Sequence, residues 1–273
     1  MFKPYDLYRI YAFLRRDIVN RMSYKLNFTF DIISDFIFVL TFGILGYATQ
    51  PAQAPYMEEY GGMTAATFII IAMICQQFMQ TSQFAPQYIA NPGAMERIIL
   101  TPCPIPVFIL GSMSWRYFRG MITLAISIPI GLLMFGMTLP RDILSLIIVM
   151  AVGTTAMLGL GIIASAIQLV TKQWNPINWF IGNFSWLVSG TLYSRQFLLE
   201  VDPTGVLYAI GWFLPHTYVY DMVRKAWVGI SIIEMMDYFM ALLAVAAILF
   251  TIGWLTFRAC LRYCQIEGSL GWV

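Results

Sequence analysis

Long apolar runs separated by short polar stretches organise this chain. Six runs meet or approach the about 20 residues that a helix needs to cross the hydrocarbon of a bilayer. They are residues 28–47, 63–83, 115–137, 143–170, 176–193 and 237–257, the fifth being short and flanked by polar residues. None shows the alternation of a barrel strand, and backbone groups in lipid must be satisfied inside their own segment, so all six are predicted to be helices. The fold class expected is all-α: one polytopic membrane domain over residues 1–273 with six transmembrane helices.

Three segments between or before the runs have patterns of their own. In residues 1–27, Leu7, Ile10, Leu14 and Ile18 recur at helical spacing while Asp6, Arg9, Arg16, Asp17 and Asn20 fall largely elsewhere on the wheel. That pattern predicts an amphipathic helix in the headgroup layer, arginines near anionic lipid, and equally suits docking on another protein. Residues 84–114 carry the proline-framed stretch NPGAMERIILTPCPIP. Asn91 can cap a helix there, Pro92 suits its first position and Glu96 complements its N-terminus. Met95, Ile98 and Ile99 give it a small apolar face, Pro102 ends it, and Pro104 and Pro106 stiffen the elbow into the third run.

Residues 194–236 are too apolar for water. Asp202-Pro203 reads as a cap and first turn, Pro215 as the end of that helix, and 217–227 as a second helix. Both are too short to cross, which predicts a hairpin that dips into the outer leaflet and returns. Asp221, Arg224 and Lys225 would then lie at headgroup level.

Composition agrees with a membrane class: 59% of the 273 residues are hydrophobic and 11% charged, with mean hydropathy +0.72. A soluble domain has about 45–50% apolar and about 25% charged residues. The net charge of +2 does not point to nucleic acid. The four cysteines, Cys75, Cys103, Cys260 and Cys264, have neither metal-type nor disulfide spacing. No secretory leader is visible in the first 25 residues. With six spans, Lys3, Arg9, Arg15, Arg16, Arg21, Lys25, Arg97, Arg116, Arg119, Lys172, Arg258 and Arg262 share the terminal side, against Arg141, Arg195, Arg224 and Lys225 opposite. Positive charge collects inside, so both termini and residues 84–114 are expected in the cytoplasm of a plasma-membrane protein.

Polar residues within the runs are candidates for function or for packing. Asp31 and Asp35, spaced i,i+4, suit an ion site or partners on a neighbouring helix. Gln76, Gln80 and Gln83 form a stripe that could bond across helices or line a hydrated substrate path. Gly153, Gly159, Gly161 and Ser165 allow close backbone approach. His216 and Asp221 match a His-x4-Asp pattern used by some membrane acyltransferases, so a lipid-modifying enzyme is an alternative, although a structural histidine is the simpler reading. The chain lacks a G-x-x-x-x-G-K-[ST] loop, a G-x-S-x-G elbow and an H-E-x-x-H pair. No catalytic residue and no metal ligand is expected.

The two irregular regions together resemble the type-2 ABC-transporter permeases. PGAMERIILTPCPIPVFILG is similar to that family's cytoplasmic loop, with Gly93, Glu96, Thr101, Pro102 and Gly111 at the matching places and Ala94-Met95 where the family has Thr-Leu. LVSGTLYSRQFL and FLPHTYVYDMVRKAWVG are similar to its outer motifs through Ser189, Gly190, Pro215, Thr217, Tyr218, Asp221, Arg224 and Gly229. Ser194 departs from the proline more usual there. The ending RYCQIEGSL resembles the tail of the drug-export branch.

The resemblance implies a permease half that dimerises, as a homodimer by default, and recruits two ABC-type ATPase subunits. ATP and Mg would be bound by those partners and no cofactor by this chain. It further implies that Gly93, Met95, Glu96, Arg97, Ile99, Thr101 and Pro102 belong to a coupling helix seated on the ATPase, and that Pro215, His216, Asp221 and Arg224 mark the outer hairpin. Export of an amphipathic, lipid-like or polymer substrate by alternating access is the activity implied, with an ATP-independent carrier as a further alternative.

Overall fold

The computed structural model describes residues 4–88, 90, 100, 101, 103–172 and 176–269. Those residues form ten α-helices and three short 3-10 turns, with no strand among them. Five helices are long and apolar enough to cross a membrane. They are α2 (Lys25–Gln53), α3 (Ala65–Phe84), α4 (Ile105–Met134), α5 (Ile143–Thr171) and α10 (Met236–Ile266). The others are α1 (Pro4–Ser23), α6 (Pro176–Val188), α7 (Arg195–Val201), α8 (Val206–Gly211) and α9 (Pro215–Val228).

Helix ends depart from the apolar runs for local reasons. α4 begins at Ile105 rather than at residue 115, because Pro104 is extended (φ −61°, ψ 138°) and Pro106 occupies the first turn, where a missing N–H costs nothing. Ser112 and Ser114 then stay helical by donating to the Ile109 and Gly111 carbonyls at 2.8 and 2.6 Å. α10 continues past residue 257 to Ile266, carrying Arg258 and Arg262 beyond the apolar stretch. The fifth run gives only 13 helical residues, α6. At 1.5 Å per residue it spans about 20 Å, short of the about 30 Å of hydrocarbon. It stops where Ser189 precedes Gly190, which takes the left-handed φ of +75° that a residue with a Cβ resists.

α3 is the most enclosed of the five long helices, its first half buried on nearly every side. It is held at its start by Thr64, which accepts from the Thr67 amide at 3.2 Å, and by Gln50 of α2, which accepts from the Ala65 amide at 2.5 Å. The small residues of α5 serve close packing. A Cβ on Gly159 would come within 2.6 Å of the α10 backbone at Leu249 and Phe250, and one on Gly253 within 2.6 Å of the Gly159 carbonyl oxygen. Gly161 lies against the Gln83 carbonyl in the same manner, and Gly153 receives Val219 of α9.

The 194–236 region differs from its expected outline. Asp202 closes α7 rather than opening the next helix. Its carboxylate accepts from the Thr204 amide at 3.1 Å and from the Leu207 amide at 2.9 Å, so α8 begins only at Val206. Pro215 does not merely end α8; it is a first-turn residue of α9, two residues ahead of the expected start. Gly229, at φ +104°, ends α9. Both ends of this excursion meet the α2–α3 connection: Gln196 donates to Glu59 at 3.0 Å, and Val228 lies against Gly61.

α1 lies along α4, with Phe13 edge-on to Phe108 (5.5 Å between centroids) and over Gly111. Ile10, Leu14 and Ile18 are half-buried there, whereas Leu7 turns outward with Tyr8, Tyr11, Val19 and Met22. The apolar stripe read from the sequence therefore serves this contact, and a second apolar face is left exposed.

Candidate functional site

The expected coupling helix falls almost wholly outside the described residues: Gly93, Met95, Glu96, Arg97, Ile99 and Pro102 are not among them. Its approaches are described. α3 runs into a 3-10 turn, Ala85–Tyr88, and Ala90 is buried. On the return Thr101 is an exposed turn residue, and Cys103 lies beside α1, lining a groove with Arg9, Phe13 and Arg16. Burial pushes the Cys103 thiol up, with Arg9 nearby drawing it down and Asp6 raising it.

α9 is a buried helix rather than a surface one. Arg224 is 2% exposed and fully hydrogen-bonded to backbone: Nε donates to the Phe68 carbonyl at 3.1 Å, Nη1 to Gly190 at 2.7 Å and Nη2 to Thr191 at 3.0 Å. Its guanidinium also sits 3.2 Å over the Phe68 ring centre. Burial draws its pKa down to about 10. The expected headgroup-level cluster of Asp221, Arg224 and Lys225 is thus corrected. Arg224 turns into the bundle and ties α9 to α3 and to the turn after α6. Asp221 instead accepts from the Tyr60 hydroxyl at 2.7 Å and pairs with Lys225 at 3.0 Å, which also reaches Glu59 at 2.7 Å.

His216 is completely buried, and neither imidazole nitrogen has a hydrogen-bond partner among the described residues. Burial pushes its pKa down to about 3. Five residues along a helix turn through about 140°, so His216 and Asp221 leave opposite sides of α9. The dyad that the lipid-modifying reading requires is not assembled. Of the aromatic residues in this region, Tyr220 and Trp227 are buried, the latter donating to the Thr138 carbonyl at 2.7 Å. Tyr208 and Trp212 flank Arg195, whose guanidinium lies 4.2 and 4.1 Å from their ring centres.

The glutamine stripe divides. Gln76 accepts from the Tyr220 hydroxyl, and Gln83 donates to Asn178 of α6 at 3.1 Å while Asn178 donates to the Gln83 carbonyl at 3.2 Å. Both are buried contacts between helices. Gln80 faces a cleft of about 620 Å³ between α1, α2, α3 and α4. Its other polar walls include Arg16, Arg21, Asp31, Gln77, Arg116 and Arg119.

Sequence reasoning missed this cleft. Its walls come from four helices, and Gln77, bonded to Thr123 at 3.2 Å, sits about 100° round α3 from Gln76. Beside it Asp35 pairs with Arg119 and accepts from Thr123 at 2.9 Å, while Arg119 donates to the Asp31 carbonyl at 2.9 Å. Asp35 is therefore a partner of a neighbouring helix.

Comparison with protein families gives one match: residues 8–228 fit the model ABC2_membrane, described as ABC-2 type transporter. A search of curated proteins returned no match.

Proposed function

The chain belongs to the ABC-2 type transporter family, as the permease component of an ABC transporter and a multi-pass membrane protein, and from that premise we propose how it works. It acts as a homodimer with two ATPase subunits that bind ATP and Mg. Six passes are formed, α6 and the turn that follows making the short fifth. Both termini and residues 84–114 face the cytoplasm, and α7 to α9 re-enter from the outer leaflet. ATP binding closes the ATPases, displaces the segment around Glu96 and Arg97, and reshapes a path between the two copies. An amphipathic, lipid-like or polymer substrate is exported.

The observation that carries this reading is the extent of the family match, which spans both the loop between α3 and α4 and the whole of α9. The mechanical side is supported by what flanks the loop. α3 leads towards it from the centre of the bundle, and Pro104 and Pro106 stiffen the entry into α4, which suits passing a push on the loop to the core.

Charge reversal at Glu96→Lys and Arg97→Glu, followed by ATPase co-purification, tests the coupling segment. The variant pair is expected to lose the partner while folding normally; retained association would overturn the assignment. Reconstitution of the permease without an ATPase tests the carrier alternative, and transport by that preparation would favour it.

A further inference from the structure

The cleft between α1 and α4 holds more positive charge than its own carboxylates neutralise. Arg16 is held by Asp17, its Nε donating at 2.8 Å, and Arg119 is held by Asp35. Arg116 donates to the Tyr88 hydroxyl and stacks over that ring at 5.1 Å, with no carboxylate partner among the described residues. Arg21, from the last turn of α1, has no ion pair among the described residues. Asp31 is the one lining carboxylate outside an ion pair among them. Two guanidiniums from different helices thus face one cavity, with Gln80 beside them as a neutral donor.

The walls are not uniformly polar. Phe13, Phe84, Phe108 and Trp115 line the same cleft. On α2, the helix that carries Asp31 into the cleft, Phe30, Ile33 and Ile37 are exposed. A soluble anion would gain nothing from that apolar surround. A molecule with a phosphate at one end and acyl chains at the other would use both halves. The volume of about 620 Å³ suits a glycerophosphate headgroup, within the about 300–1,000 Å³ usual for ligand sites.

We propose that this cleft binds the headgroup of an anionic phospholipid, with Arg21 and Arg116 as the phosphate's charge partners and Gln80 as a hydrogen-bond donor. Arginine suits the task because its planar fork meets phosphate oxygens in pairs. The bound lipid would fasten α1 to α3 and α4 beside the root of the α3–α4 loop. Which leaflet supplies it rests on the orientation proposed above; the chemistry of the site does not.

The test uses the full chain without an ATPase, so its outcome is separate from that of the coupling segment. Native mass spectrometry in detergent would titrate dioleoyl phosphatidylglycerol, dioleoyl phosphatidylcholine and, as a soluble competitor, inorganic phosphate. Phosphatidylglycerol is expected to bind at least about tenfold more tightly than phosphatidylcholine, through the unneutralised arginines. Arg21→Gln and Arg116→Gln are each expected to weaken it about fivefold, and Arg116→Lys much less. Arg21 is exposed and unpaired among the described residues, so Arg21→Gln keeps the fold even if a double variant does not. Equal affinity for the two lipids would overturn the proposal, as would phosphatidylglycerol binding untouched by Arg21→Gln. Displacement of the lipid by millimolar phosphate would instead assign a soluble-anion site and equally overturn it.

Discussion

Replacing Arg224 by methionine removes the cation from the centre of α9 while keeping a long apolar stem. Three carbonyls, of Phe68, Gly190 and Thr191, then lose their donor at once. At about 1–3 kcal/mol for each buried acceptor left unsatisfied, the loss comes to about 6 kcal/mol. Against it stands relief of the burial penalty that draws the guanidinium down to about 10, about 3 kcal/mol at about 1.4 per unit. The net destabilisation is about 3 kcal/mol, or a melting point lower by about 6–12 °C at the scale of globular domains. A thiol-reactive dye reads it directly, because Cys75 and Cys264 are buried and react only on unfolding. Arg224→Lys should fall between, since an ammonium cannot fork to three acceptors from one plane. A methionine variant melting within about 2 °C of wild type would refute the view that α9 is fastened by this side chain.

Two further predictions concern charge within the bundle. Asp35→Asn and Arg119→Gln should each destabilise, and the double variant by less than both together, with a coupling of about 1–2 kcal/mol in a thermal-melting cycle; additive losses would show the pair to be idle. His216 titrates in the unfolded chain near 6.5 but only at about 3 when folded. The unfolded state therefore holds more protons between those values, and the stability this gives is complete above about pH 6.5 and falls as pH drops. Between pH 6.5 and 4.5 the loss is about 2 kcal/mol, and His216→Phe should flatten the curve; parallel curves would place the imidazole in contact with water.

The long helices were legible because nothing competes with a sustained apolar run: α5 matches residues 143–170 almost to the residue. Where proline or aspartate had two meanings, the sequence could not choose. Asp202 before Pro203 suits a cap or an Asx turn, and the partner that decides, the Leu207 amide, requires the intervening turn to be known. The glutamine stripe stayed open between its two readings for a different reason. Whether Gln76 packs or lines a path depends on Tyr220, and Gln83 depends on Asn178, both distant along the chain. Arg224 looked like a headgroup cation because its acceptors are backbone carbonyls, which carry no signature in the sequence. The α1–α4 cleft was invisible altogether, since no single helix displays it.

The touching backbones of α5 and α10 also say where movement can occur. Main chains that meet at Gly159 and Gly253 leave no slack, and sliding either helix by a turn would drive larger neighbours such as Phe250 and Ile162 into the seam. The two therefore travel together as one strut. Under the proposed mechanism, reshaping is then borne by looser members such as α2, which is little buried among the described residues.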